Sequence, residues 1–166
     1  MTIQNKCNIN MSYFEIKKDI LQQGISPIVH TIGSDAGFGA GIALTIKRMY
    51  PHMVEYLQRL KLKVPDIYKF TVTNGKFNID IINLVTKKYS YNKPTLQQYK
   101  NSINLLLRFC QDNYITTVHM PAIGSGCDRL NWNDVKYLLK SILVKNGINV
   151  YVYFIDENKF LMENNI

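Results

Sequence analysis

Two stretches of this chain combine residue types suited to holding an anion. The first is His30-Thr31-Ile32-Gly33-Ser34-Asp35-Ala36-Gly37-Phe38-Gly39-Ala40-Gly41-Ile42-Ala43, and the second is His119-Met120-Pro121-Ala122-Ile123-Gly124-Ser125-Gly126-Cys127-Asp128-Arg129-Leu130. In each, a strand-like run ends in glycines and a helix-like run follows. Glycine lets the backbone approach a ligand and take positive φ, and a helix N-terminus presents free N–H groups to an anion. Two such loops at strand ends suggest a ligand with two linked phosphates, lying in the crevice that open α/β sheets form there. The familiar cradles do not fit. There is no G-x-x-x-x-G-K-[ST]. The run Gly37-x-Gly39-x-Gly41 lacks the third glycine of G-x-G-x-x-G and follows the second strand, which disfavours a dinucleotide oxidoreductase. Asp128 is out of place in an anion cradle, so it is read as serving chemistry or a hydroxyl. Its alternative role is capping the next helix. Lys87-Lys88 after Thr86 reads, on its own, as a solvated strand end.

The elements that must position these residues alternate from residue 12 onward. Ser12–Ile20 and Ser26–Ile32 read as strands. Gly39–Tyr50 carries Ile42, Ala43, Ile46, Met49 and Tyr50 at helical spacing and stops at Pro51; Met53–Leu62 is a second short helix. Ile67–Thr73 and Phe77–Thr86 flank Asn74-Gly75, a hairpin dipeptide. Thr95 and Gln98 form a capping box for a helix whose face holds Leu96, Tyr99, Ile103, Leu106, Leu107 and Cys110. Thr116–Ala122 is a buried-looking strand. Trp132, Val135, Leu138, Leu139 and Ile142 mark another helix, stopped by Gly147, and Ile148–Ile155 is the last strand. The order β-β-α-(α)-β-β-α-β-α-β implies a mixed sheet with helices on both faces. No repeat, linker or hinge suggests a domain boundary, so residues 1–166 are read as one domain with its core at 12–155. The first ten and last eight residues read as loose ends.

Composition excludes several classes. With 166 residues, 46% hydrophobic, the chain is long enough for a core without metal or disulfide support. Cys7, Cys110 and Cys127 are odd in number and far apart, and His30, His52 and His119 share no metal spacing. That gives no metal site and suggests a reducing compartment. The start, MTIQNKCNIN, has no apolar core of signal-peptide length, and the longest apolar stretch is interrupted by Asn104 and Arg108. A soluble intracellular protein, in cytoplasm or nucleus, away from the membrane and monomeric, is expected. The net charge of +8 comes from 20 Lys+Arg against 12 Asp+Glu, with only 19% charged residues where about 25% is typical. The chain is short of acids rather than rich in bases, which permits a nucleic-acid partner without requiring one.

The residues resemble the macro domains, specifically the branch of the terminal ADP-ribose protein glycohydrolase and the O-acetyl-ADP-ribose deacetylases. Four blocks between Ser12 and Ile155 carry the resemblance: Lys17-Lys18-Asp19-Ile20; Gly39-Ala40-Gly41-Ile42-Ala43; Leu84-Val85-Thr86-Lys87-Lys88 with Asn92-Lys93-Pro94-Thr95; and Met120 through Leu130. The resemblance implies a three-layer α/β/α macro domain with a mixed, mostly parallel central sheet of about six strands. It implies ADP-ribose as ligand and no cofactor. Asp19 would accept a hydrogen bond from the adenine amino group, beside the Ile20 backbone. Gly39, Ala40, Gly41 and Ile42 in one loop, and Ile123, Gly124, Ser125, Gly126 and Cys127 in the other, would wrap the diphosphate and distal ribose. Phe154 or Ile155 would pack on adenine. Asp35 matches the branch, whereas Gly33 stands where relatives often carry a serine: either Ser34 replaces that contact after a small shift or the contact is lost.

The resemblance also implies a mechanism, with Lys87 as nucleophile and Asp128 as its acid–base partner. Carbon C1″ of the distal ribose is an acetal-type centre that an amine can attack, expelling a carboxylate. An amine attacks only when neutral, so burial or a neighbouring cation, Lys88, would have to help it release its proton. No asparagine occurs between Ile28 and Ile42, which argues against the mechanism of the more widespread macro hydrolases. The expected activity is hydrolysis of ADP-ribosyl esters, on glutamate or aspartate of proteins and on O-acetyl-ADP-ribose. The rivals are a silent ADP-ribose reader, an ADP-ribose 1″-phosphate phosphatase and a hydrolase of ADP-ribosylated nucleic acid.

Overall fold

A computed structural model describes residues 12–22 and 24–155; the two ends expected to be loose, with Cys7, lie outside the described residues. The chain runs β1 (Tyr13–Lys17), β2 (Ile28–Gly33), α1 (Gly41–Met49), α2 (Pro51–Arg59), β3 (Asp66–Asn74), β4 (Phe77–Lys87), α3 (Leu96–Asp112), β5 (Thr117–Pro121), α4 (Trp132–Leu138) and β6 (Asn149–Phe154). The strands form one six-stranded sheet in the order β1-β6-β5-β2-β4-β3. Every pairing is parallel except β3 with β4, which the Asn74-Gly75 turn folds into an antiparallel hairpin with Gly75 at φ 60.

Side-chain alternation divides the sheet between two cores. Val29, Ile82, Leu84, Val118, Met120, Val150 and Val152 face α3 and α4, meeting Tyr99, Ile103, Leu106, Trp132 and Val135. Ile28, Ile32, Ile79, Ile81 and Val85 face α1 and α2, meeting Ile46, Met53, Val54 and Leu57. The expected three-layer α/β/α arrangement is therefore present. β4 is buried almost without break from Ile79 onward because it has strands on both sides and helices on both faces, and its continuous apolar run reflects this. β3 sits at the edge, and only Val72 of it is buried.

The local signals act as expected. Thr95 accepts from the Gln98 backbone and the Gln98 side chain reaches back, which starts α3. Gly147, at φ 84, ends the α4 segment. One element differs in detail. The helix expected through Ile142 is α-helical only to Leu138 and then widens into a π-type turn over Leu139–Leu143, which still buries Leu139, Ile142 and Leu143. The spacing of apolar residues reports which side faces inward, and it does not separate a 3.6-residue turn from a wider one.

Two features of this topology create a site. The C-terminal ends of β1, β2, β4, β5 and β6 all point to the same edge of the sheet, so Lys17, Gly33, Lys87, Pro121 and Phe154 come together there. The neighbours β2 and β5 pair through Ile28 and His119, early in β2, and their connections leave for opposite faces. At such a switch point the loops diverge and open a crevice.

Candidate active site

A cleft of about 900 Å³ fills that crevice. One wall is the first glycine loop, from Gly33 through Phe38 to Ala43. The other is the second loop, from Pro121 to Arg129, with Tyr153, Phe154 and Ile155 at one end and Lys87, Ser90 and Tyr91 at the other. The cap residue of α1, Ala40, is extended and makes no side-chain cap bond, which leaves the first N–H groups of α1 without an intrahelical partner at the cleft wall. A side chain built at Gly39, Gly41 or Gly126 would meet nothing within 4 Å, so the backbone at these three positions is open to a ligand.

Lys87 and Asp128 meet at the floor, although 41 residues separate them. Lys87 Nζ donates to Asp128 Oδ1 at 2.6 Å, and both side chains are about nine-tenths buried. The second oxygen, Oδ2, accepts from the Tyr99 hydroxyl, which also lies 3.3 Å from Thr31 Oγ1. Burial first, and the Asp128 charge second, push the Tyr99 phenol well above its ordinary range, so it remains a donor. The capping alternative for Asp128 is excluded, because Asn131 caps α4 by accepting from the Asn133 backbone at 2.8 Å. The cation expected to act on Lys87 lies elsewhere: Lys88 Nζ sits over the Tyr89 ring, 5.1 Å from its centre. The group facing Lys87 is a carboxylate. Among the described residues no cluster of three His, Cys, Asp or Glu could hold a metal ion.

The family model for the macro domain matches residues 29–139, more than half of the chain. The chain belongs to the macro domain family. Relatives agree. The ADP-ribose glycohydrolase OARD1 of Bos taurus is 32% identical over 126 residues, which is 76% of this chain and 80% of that protein. The DNA ADP-ribosyl glycohydrolase of Mycobacterium tuberculosis is 32% identical over 127 residues, 74% of this chain but 36% of that longer protein. Among solved structures, the macrodomain of Mycobacterium tuberculosis DarG superposes with a TM-score of 0.73 at 26% identity, covering 85% of this chain and 96% of that one.

In this macro domain most of the residues singled out from the sequence line one cleft. Ile20, Gly39, Ala40, Gly41, Ile42, Ile123, Gly124, Gly126, Cys127, Phe154 and Ile155 are there together with Lys87 and Asp128. Asp19, Ser34, Asp35 and Ser125 are not among the lining residues. The Asp19 carboxylate accepts from the Leu21 backbone at 2.9 Å and shapes the turn that presents Ile20. Ser34 Oγ donates to the Lys88 carbonyl at 2.7 Å, Ser125 Oγ to the Ala122 carbonyl at 2.7 Å, and Asp35 binds Ser90. Phe154 is almost wholly buried, edge-on to Trp132 with ring centres 6.0 Å apart, whereas Ile155 is 69% exposed.

Sequence reasoning missed four contributors. Tyr91 is exposed at the rim and stacks on Tyr89 at 5.3 Å, nearly parallel. Lys93 donates to the Cys127 carbonyl and so tethers the second loop. Ser90 binds Asp35, and Tyr99 binds Asp128. Tyr99 alone left a sequence signal: a phenol on an otherwise apolar helix face must find a polar partner.

Proposed function

We propose that the described residues form one ADP-ribose-binding unit that hydrolyses ADP-ribosyl esters, namely mono-ADP-ribosyl glutamate or aspartate on proteins and O-acetyl-ADP-ribose. The observation that carries this reading is the Lys87–Asp128 pair at 2.6 Å on the floor of a cleft walled by two open glycine loops. The relatives named as ADP-ribosyl glycohydrolases support it. The diphosphate lies along the α1 N-terminus and the Gly126 loop, adenine lies against Phe154 and Ile155, and the distal ribose reaches Lys87.

The chemistry follows from the pair. Lys87 passes a proton to Asp128 Oδ1, and the freed Nζ lone pair attacks C1″. The bond from C1″ to the ester oxygen breaks, and its electron pair leaves with the carboxylate. The adduct on Lys87 is then displaced by water at C1″, with Asp128 managing the protons, so that free ADP-ribose departs and the amine is regenerated. The free thiols Cys110 and Cys127 fit a reducing, intracellular setting in which the domain works as a monomer. Among the described residues no helix is long and apolar enough to cross a membrane.

The test is release of ADP-ribose from auto-ADP-ribosylated protein by wild type, Lys87→Ala and Asp128→Ala. Equal release by all three would overturn the roles. Tight ADP-ribose binding by calorimetry without turnover on any ester would favour a reader, and phosphate release from ADP-ribose 1″-phosphate a phosphatase. A second substrate, ADP-ribosylated nucleic acid, is favoured by the relative named as a DNA ADP-ribosyl glycohydrolase. Faster turnover on ADP-ribosylated DNA, falling steeply with salt, would select it.

A further inference from the structure

We propose that Tyr99 is a positioning residue for this reaction: its hydroxyl anchors Oδ2 of Asp128 and reserves Oδ1 for Lys87. The inference rests on the reading that Lys87 and Asp128 perform the chemistry, and it adds a division of labour between the two carboxylate oxygens.

A carboxylate turns about a soft terminal torsion, so a single bond to Lys87 would leave the plane of Asp128 loosely set. Two bonds, one to each oxygen and from different elements, set it. Lys87 reaches Oδ1 from the end of β4, and Tyr99 reaches Oδ2 from the first turns of α3. Tyr99 is itself held. The capping box Thr95–Gln98 fixes the start of α3 one turn earlier. The Thr31 hydroxyl of β2 stands 3.3 Å behind the phenol oxygen. The ring packs against Gly124, where an added Cβ would lie 3.0 Å from Tyr99 Cε1, so the second glycine loop leaves this space for the tyrosine. The charged and titratable groups around Asp128 are Lys87, Tyr99, its neighbour Arg129, and Lys93, which donates to the carbonyl of Cys127.

This arrangement has a chemical consequence. The phenol stays protonated because burial and the adjacent carboxylate both disfavour phenolate, so the hydrogen bond has one direction, tyrosine to aspartate. Oδ2 is therefore committed. The proton that leaves Lys87 must go to Oδ1, which already lies 2.6 Å from Nζ.

The experiment compares wild type with Tyr99→Phe, which keeps the ring and removes the hydroxyl. With the aspartate carboxyl carbons labelled with ¹³C, the Asp128 resonance should move at fixed pH in Tyr99→Phe, because Oδ2 loses its donor. On an ADP-ribosyl ester, kcat should fall about tenfold or more, with KM within about twofold, as loss of one bond to a charged group implies. Thr31→Val should shift the same quantities less, and should add nothing in the Tyr99→Phe background. An unchanged Asp128 resonance and unchanged kcat in folded Tyr99→Phe protein would overturn the proposal. If wild type turns over no ester, the reaction assigned above fails, and the carboxyl resonance still decides this one. If Tyr99→Phe does not fold, the direction of the Asp128 shift in Thr31→Val decides it.

Discussion

Asp35, on the first glycine loop, and Ser90, after β4, hold each other with three hydrogen bonds. The Ser90 backbone N–H lies 3.1 and 3.0 Å from the two carboxylate oxygens of Asp35, and the Ser90 hydroxyl donates to Oδ1 at 2.6 Å. Ser34 adds a bond to the Lys88 carbonyl, and Ser34 N–H meets the Lys87 carbonyl at 2.9 Å. The wall that presents open N–H groups is thus laced to the strand end that presents Lys87. Burial pushes the Asp35 carboxyl up, but the bonds from Ser90 and Gly37 outweigh it and hold it below its usual range. The acid-poor chain spends this carboxylate on fixing the distance between a binding loop and a reacting side chain.

The first prediction concerns the Lys87–Asp128 pair. Lys87→Ala should lower ester turnover by about 10²-fold or more while leaving ADP-ribose affinity within a few-fold. Asp128→Ala should lose turnover as well. It should also lose about 3 kcal/mol of stability, because it strands a buried ammonium and leaves the Tyr99 hydroxyl without its acceptor. Initial rates and chemical denaturation separate the two effects.

Glycines of the first loop should divide by what surrounds them. A Cβ at Gly33 would lie 2.6 Å from Asp35 Oδ1 and 2.8 Å from the Ser90 backbone nitrogen, so Gly33→Ala must break the brace. It should destabilise by about 1–3 kcal/mol and weaken ADP-ribose binding. Gly39→Ala has open space and should fold normally, yet its methyl enters the cleft and should raise the ADP-ribose Kd. Thermal unfolding with calorimetry distinguishes these outcomes.

The adenine end should show the same contrast. Phe154→Ala removes a buried ring from the Trp132 side of the core and should cost about 3–5 kcal/mol. Ile155→Ala, at an exposed position, should leave stability unchanged and weaken ADP-ribose binding.

Acid should destabilise the protein through His30. Burial lowers its pKa to about 4, against a single hydrogen bond, donated by His30 Nε2 to Asn83 Oδ1, that raises it. The unfolded chain takes up the proton near pH 6.5, while the folded protein resists until about pH 4. Stability is therefore intact above 6.5 and falls as pH drops between the two, by about 3 kcal/mol in all. Denaturation curves at several pH values should show this slope, and His30→Gln should flatten it.

Much of this protein could be read from the chain because the signals are local. A capping box needs only Thr95 and Gln98, a hairpin only Asn74 and Gly75, and an apolar strand end followed by glycines announces a loop whatever the rest of the molecule does. Periodicity then assigned the inward faces, so the order of elements and both glycine walls were legible, whereas the association of Lys87 and Asp128 with them came from the family resemblance. Pairing across long separations was not. Nothing local says that Tyr99 meets Asp128 or that Ser90 meets Asp35, since each partner lies on another element. Tertiary structure decided those contacts by setting β2 beside β4 and letting β2 part from β5. Those placements depend on the summed packing of two cores and on no single stretch of sequence. The sequence therefore determined which groups were available, and the fold decided which oxygen each of them holds.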